Sequence, residues 1–101
     1  MKVLISDNLH RDGIAILEAH PSIEVVNRPG LPPEELKEAI KDADALVIRS
    51  ATKVTADLMA AAPRLKVVGR AGVGVDNIDV NEATARKVLV VNAPAASTVS
   101  V

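Results

Sequence analysis

Cysteine, phenylalanine, tyrosine and tryptophan are all absent from this 101-residue sequence. The lack of cysteine excludes disulfides, thiolate catalysis and cysteine metal sites, and it suits a reducing compartment. The lack of aromatic residues means that the core must be built from Ala, Val, Leu and Ile, because Met occurs only twice. We therefore expect an aliphatic core and almost no absorbance at 280 nm.

An excess of charge and a long apolar run are also missing. Lys and Arg number 12 and Asp and Glu 13, and a formal charge of −1 without a basic stripe argues against a nucleic-acid partner or a polybasic membrane anchor. The first seven residues are too short an apolar stretch for a signal peptide, and no later run is long enough to span a bilayer. We predict one cytoplasmic domain over residues 1–101, since 49% apolar residues are ample for a folded core.

Short β-branched runs recur at regular intervals and predict five strands, at residues 3–5, 23–26, 45–48, 66–68 and 88–91. Helical spacing fills the intervals between them, most clearly where apolar residues fall at i, i+3, i+4 and i+7. These are Leu36, Ala39, Ile40 and Ala43, after a start at Pro32 and Pro33.

Three further helices are predicted from shorter signals. One spans residues 11–18, with Ile14 and Leu17 turned inward. The next is capped by Thr55 and ends before Pro63. In the last, Asp79 and Glu82 resemble a capping box.

Strict alternation of strand and helix predicts a parallel sheet with right-handed crossovers. Five such strands favour an α/β fold of the flavodoxin-like type, a three-layer α/β/α arrangement with strand order 2-1-3-4-5 and ligands beyond the carboxyl ends of the strands. The sequence stops where a fifth helix is expected, so the last helix is truncated. We predict an uncovered apolar strip on the side of Ile14 and Leu17, and a homodimer through the face that lacks its fifth helix.

A glycine-rich segment, residues 69–77, follows the fourth strand. Gly72 and Gly74 allow close backbone approach, and successive N–H groups there can form an anion-binding nest. The pattern G-x-x-G-x-G is not the dinucleotide fingerprint, and no acidic residue follows at the distance that a ribose requires. On spacing alone, a structural turn and an anion site are equally good interpretations.

Arg49 and Ser50 directly follow the third strand and therefore lie at the ligand-binding edge. A guanidinium and a hydroxyl there could bind a carboxylate or phosphate. Taken alone, these residues favour the alternative in which Arg49 pairs with a nearby acid. The sequence shows an anion-binding edge and no reaction.

The remaining polar residues suggest no catalytic group. His10 lies in the first loop and His20 near a helix end, and neither is interpreted as a catalytic base. Asp7 and Asp44 are interpreted as surface groups, and no metal site or nucleophile–base set is predicted.

Three motifs in order resemble the amino-terminal lobe of the D-2-hydroxyacid dehydrogenases, and most closely the phosphoglycerate dehydrogenases. They are VIRSATKVT at 47–55, GRAGVGVDNID at 69–79 and VVNAP at 90–94, and the similarity extends over essentially the whole chain. The resemblance implies the substrate-binding lobe of a two-domain enzyme. That enzyme oxidises 3-phosphoglycerate with NAD to 3-phosphohydroxypyruvate, the entry to serine synthesis.

The resemblance also implies roles for particular positions. Backbone N–H groups of Val73 and Gly74 would take the substrate carboxylate, and Val73 would also lie near the nicotinamide. Arg49 and Ser50 would face the substrate, including its phosphate. The family's catalytic residues and its dinucleotide fingerprint have no counterpart here, so we expect no catalytic residue, no complete NAD site and no turnover by this chain alone.

Two positions depart from the family pattern. Ser97 stands where many relatives have Asn, which leaves that substrate contact open. Lys87 stands where relatives usually have Gly, so it must either accept a positive φ or end the helix differently.

Other functions require features that are missing. A receiver domain needs an acidic pair after the first strand and an Asp after the third, where this chain has Arg49. A flavin carrier needs a Ser/Thr/Gly-rich first loop, which residues 8–12 do not provide. The lobe of another D-2-hydroxyacid dehydrogenase stays an alternative.

Overall fold

A computed structural model describes residues 1–8, 11–49, 51–71 and 77–93 of the chain. Strands and helices alternate through these ranges, as the sequence predicts. The strands are β1 (Lys2–Ile5), β2 (Glu24–Asn27), β3 (Ala45–Ile48), β4 (Val67–Ala71) and β5 (Leu89–Ala93). The helices are α1 (Arg11–Glu18), α2 (Pro33–Ala39), α3 (Ala56–Ala60) and α4 (Val80–Ala85).

The five strands form one parallel sheet of order β2-β1-β3-β4-β5, which confirms the predicted topology. Right-handed crossovers place α2, α3 and α4 on one face of this sheet and α1 on the other. Both Ile14 and Leu17 of α1 are half-buried. The position of the predicted fifth helix, after residue 93, lies outside the described residues.

The main core lies between the sheet and helices α2 to α4. Alternate strand residues enter it, including Leu4, Leu46 and Val68, each at most 1% exposed. The predicted apolar stripe of α2 faces them, although α2 ends at Ala39 and Ala43 lies just beyond it. Because every large buried side chain in this core is aliphatic or Met59, the expectation of an aliphatic core is confirmed.

Side chains cap the amino termini of α3 and α4. Thr55 accepts a hydrogen bond from the Leu58 N–H at 3.2 Å, as predicted. The Asp79 carboxylate accepts one from the Glu82 N–H at 3.0 Å, but the predicted capping box is only half formed. The Asp79 N–H instead bonds to the Val54 carbonyl, and the Glu82 carboxylate pairs with Arg86.

No helix within the described ranges has the length and apolar character that crossing a bilayer would require.

Candidate functional site

The carboxyl ends of β1, β3 and β4 meet at one edge of the sheet. Ser6 and Asp7 continue β1, and Arg49 continues β3. Parallel strands bring these ends together, and in open α/β sheets this edge is the usual place for a ligand. The loop after β3 is therefore the first place to look for a site.

The Asp7 side chain holds this loop from one side. Its Oδ2 accepts hydrogen bonds from the backbone N–H groups of Arg49, at 2.7 Å, and Thr52, at 2.9 Å. Its Oδ1 accepts the Thr52 hydroxyl at 2.5 Å. An ionised carboxylate only accepts, so Thr52 donates to Asp7 and Ser6 donates its own hydroxyl to Thr52 at 2.8 Å.

Asn77 holds the same loop from the other side. Its Nδ2 donates to the carbonyl oxygens of Arg49, at 2.7 Å, and Thr52, at 2.6 Å. The backbone of Val54 also bridges to the segment around Ile78. We call Ser6, Asp7, Thr52 and Asn77 the loop clamp, because together they fix both ends of the turn that carries Arg49.

The side chain of Arg49 is exposed to solvent, and its Nη1 donates to the Asn8 carbonyl at 3.2 Å. Among the carboxylates whose side chains the structure describes, none forms an ion pair with it. The alternative in which Arg49 pairs internally with an acid stays a prediction. A fixed backbone and an open guanidinium suit the binding of an anion, because the donors are positioned before the ligand arrives.

The other predicted site residues lie outside the described residues. These are Ser50, Val73, Gly74 and Ser97, with the glycine-rich segment 72–76 around two of them. Their assigned roles stay predictions. Of the predicted site residues, Arg49 is the one that lies within the described ranges, at the edge of the sheet.

A cleft of about 510 Å³ opens beside the loop clamp, toward α2 and α3. Leu31, Leu36 and Leu58 line it, with Lys37 and Lys53 among its polar residues. The charge of Lys37 is balanced by Asp57 at 2.7 Å. Arg49 is not part of this lining, so the cleft and the arginine are neighbouring but separate features.

Asp7 and Asp44 correct the sequence analysis, which interpreted both as surface groups. Asp7 is 5% and Asp44 is 9% exposed. Asp44 accepts the Lys2 N–H at 2.8 Å at the opposite edge of the sheet. Both carboxylates have structural roles, and no metal-binding cluster of acidic, histidine or cysteine residues occurs among the described residues.

Asp7, Thr52 and Asn77 were not identified as site residues from the sequence. Their partners lie 25 to 46 positions away along the chain. The available signal was that Asp7 and Arg49 each directly follow a buried strand, in strands that the predicted order makes neighbours.

Comparison with known proteins gives consistent matches. The family model for the D-isomer specific 2-hydroxyacid dehydrogenase catalytic domain matches residues 3–101. A D-3-phosphoglycerate dehydrogenase of Methanocaldococcus jannaschii is 58% identical over 101 residues, which are 100% of this chain and 19% of that protein. One of Bacillus subtilis is 48% identical over 99 residues, 98% of this chain and 18% of that protein.

Two solved dehydrogenase structures have a fold similar to that of this chain. A 3-phosphoglycerate dehydrogenase of Entamoeba histolytica with bound NAD⁺ has a TM-score of 0.81 and 31% identity, covering 91% of this chain and 32% of that one. A D-lactate dehydrogenase of Aquifex aeolicus, in complex with NAD and lactic acid, has a TM-score of 0.72 and 26% identity, covering 92% and 28%. The chain thus spans about a fifth of the curated relatives' length and under a third of these structures.

Proposed function

This chain belongs to the D-isomer specific 2-hydroxyacid dehydrogenase family, and from that membership we propose that it is the substrate-binding lobe of an NAD-dependent D-3-phosphoglycerate dehydrogenase. The proposed reaction is the oxidation of 3-phosphoglycerate to 3-phosphohydroxypyruvate, which leads to serine. The observation that carries the substrate proposal is Arg49, held by its backbone and open to solvent at the ligand-binding edge.

Arg49 supplies positive charge to an anionic substrate. A phosphate or carboxylate can accept two hydrogen bonds from a guanidinium, which gives both attraction and orientation. The loop clamp supports this role because it fixes the Arg49 backbone from both sides. We propose that Ser50 adds a neutral donor beside it, and that Ser97 contributes a further contact.

The carboxylate of the substrate is proposed to bind the backbone N–H groups of Val73 and Gly74. Two glycines in residues 72–76 permit the close approach that this requires.

The residues present do not build a dinucleotide site. The connection from β1 to α1, residues 6–10, contains no glycine, whereas a dinucleotide pyrophosphate is held by a glycine-rich turn at this place. NAD supplies the hydride acceptor in the proposed reaction, and Val73 is the one position of this chain proposed to lie near its nicotinamide. Other parts of a longer polypeptide would have to hold the cofactor and provide the acid–base groups.

The lobe of another D-2-hydroxyacid dehydrogenase is a second candidate, because a D-lactate dehydrogenase shares the fold at a TM-score of 0.72. The two candidates differ in the phosphate. A phosphorylated substrate offers Arg49 an additional anion, whereas lactate offers only its carboxylate.

A titration with three ligands tests the proposal. The 101-residue chain, labelled with ¹⁵N, is titrated with 3-phosphoglycerate, D-glycerate and D-lactate, and the amide and arginine side-chain signals are followed. We expect 3-phosphoglycerate to bind most tightly and to shift the Arg49 signals. Equal affinity for all three would favour the second candidate, and no shift at residues 49, 73 and 74 with any ligand would contradict both.

We also propose a cellular location and a class of partner for the protein. A net charge of −1 and the absence of cysteine support a cytoplasmic location and a small-molecule ligand in preference to nucleic acid. We also propose a homodimer through the face that lacks its fifth helix.

A further inference from the structure

The cleft between α2, α3 and the β2–α2 connection is a second concave surface of the chain, apart from Arg49. Its volume of about 510 Å³ lies within the roughly 300 to 1,000 Å³ of small-molecule sites. Leu31, Leu36 and Leu58 supply its apolar wall. Because Leu36 and Leu58 also belong to the main core, at 7% and 3% exposed, this wall is formed before any ligand arrives.

The loop clamp supplies fixed polar groups to the same cleft. Ser6, Asp7 and Thr52 line it, and all three are buried. Their hydrogen bonds to one another and to the Arg49 N–H hold them in place. A rigid apolar wall with a few fixed polar groups is the usual construction of a small-molecule site. All the lining residues lie between positions 6 and 58, so this chain forms the cleft from its own residues.

The charges around the cleft indicate the charge of its ligand. Lys37 and Asp57 neutralise each other at 2.7 Å, and the Asp7 carboxylate already accepts three hydrogen bonds. Lys53 also lines the cleft, is exposed, and forms no ion pair with any residue that the structure describes. One uncompensated ammonium beside an apolar wall suits a ligand with a single negative charge and a hydrocarbon body.

We propose that this cleft is a second ligand site, which binds a small branched aliphatic carboxylate. The carboxylate lies at Lys53, and the hydrocarbon packs against Leu36 and Leu58. A single carboxylate matches the single available ammonium, whereas a phosphate dianion would require further cations. The site does not depend on the function proposed for Arg49, because Arg49 does not line the cleft.

A titration of the labelled 101-residue chain with 4-methylpentanoate tests the proposal. We expect saturable shifts of the Leu36 and Leu58 methyl signals and of the Thr52 amide signal. Lys53→Gln should weaken binding about two- to fivefold, the effect of one exposed ion pair. Lys66→Gln is the matched control, because Lys66 is also exposed but lies outside the cleft, just before β4. No saturation at these leucines, or equal weakening by both variants, overturns the proposal.

Acetate tests the apolar half of the site. It carries the same charge as 4-methylpentanoate but lacks the hydrocarbon body, and each buried methylene contributes about fourfold in affinity. We expect acetate to bind at least tenfold more weakly. Equal affinity for the two carboxylates would show that the leucine wall does not bind the ligand.

The Arg49→Ala variant separates this site from the proposed substrate site. It should bind 4-methylpentanoate as tightly as wild type, since Arg49 is not in the cleft lining. Its affinity for 3-phosphoglycerate tests the proposed function and does not bear on the cleft. If Arg49→Ala abolishes the binding of 4-methylpentanoate, the carboxylate occupies the substrate site and the second site does not exist.

Discussion

The Asp7 carboxylate has an unusual share of the polar contacts at the edge of the sheet. It satisfies two backbone N–H groups and one hydroxyl, all from the loop that carries Arg49. A buried carboxylate is costly unless its oxygens are hydrogen-bonded, and these three donors meet that requirement. Asp7 thus converts a turn of irregular backbone into a fixed support for a solvent-facing arginine.

Replacing Asp7 should therefore destabilise the fold. Asp7→Ala leaves three donors without their acceptor, and we expect a loss of about 1.5 to 3 kcal/mol, the range for hydrogen bonds to a charged group. Urea unfolding measures this loss. Asp57→Ala is the control, since its carboxylate is exposed and forms a surface ion pair with Lys37. Similar losses in both variants would show that Asp7 has no special structural role.

Asp44 should make stability depend on pH. The Lys2 N–H donates to this carboxylate, and this bond, with a smaller contribution from the Arg64 charge, lowers the pKa of Asp44 below its ordinary value of 3.8. A folded pKa below the unfolded one means that the stabilisation is complete above pH 3.8 and is lost as pH falls through the folded value. Unfolding of wild type between pH 6 and strongly acidic pH should show this decline.

Asp44→Asn keeps an oxygen that can accept the Lys2 N–H but removes the titrating charge. Its stability should fall less steeply in the same acidic range. An unchanged slope would assign the acid sensitivity to other carboxylates, such as Asp42 and Asp57, whose pKa values are also lowered by lysine partners.

At the scale of the element, α4 ends on a residue that is unusual for its position. Lys87 has a φ of 61°, in the region that favours glycine. The Lys87 N–H bonds to the Thr84 carbonyl and the Val88 N–H to the Ala83 carbonyl, which is the Schellman pattern. Of the two possibilities raised by the sequence, Lys87 therefore accepts the positive φ.

Lys87→Gly should relieve this strain. We expect the free energy of unfolding to rise by about 1 kcal/mol, the lower end of the cost of a left-handed non-glycine residue. Lys87→Ala separates the backbone effect from the charge, because alanine keeps the β-carbon and should give no gain. A gain in both variants would assign the effect to loss of the lysine side chain.

The elements themselves were predictable because their signals are local. The run 45–48 is apolar and ends in two β-branched residues, and the observed β3 has those bounds. β4 was predicted at 66–68 but extends through Gly69 and Arg70 to Ala71. These residues have little strand preference of their own, and pairing on both sides with β3 and β5 keeps them extended.

At the scale of the whole molecule, the site was less predictable than the fold. Arg49 could be placed because it follows a strand and strand ends share an edge. The burial of Asp7 depends on Thr52, and that of Asp44 on Lys2, more than 40 positions away in each case. Composition and spacing do not reveal such long-range contacts. Asp7 and Asp44 were therefore interpreted from the sequence as surface groups.

The whole chain should bind substrate without converting it. Hydride transfer needs a bound NAD and an acid–base group in register with the substrate, and neither a dinucleotide fingerprint nor such a group was found in the sequence. NADH formation from 3-phosphoglycerate and NAD should equal the rate without protein. Turnover by the purified 101-residue chain would contradict the assignment to a substrate-binding lobe.

The affinity of Arg49 variants for 3-phosphoglycerate tests the central claim most directly. Wild type, Arg49→Ala and Arg64→Ala are titrated side by side, with Arg64 as the control because it is an exposed arginine beside Asp44 at the opposite edge. The account predicts that Arg49→Ala weakens binding by about 1.5 to 3 kcal/mol, the value of a charge-assisted hydrogen bond, and that Arg64→Ala leaves it unchanged. Equal affinity of Arg49→Ala and wild type, with both folded, would contradict it.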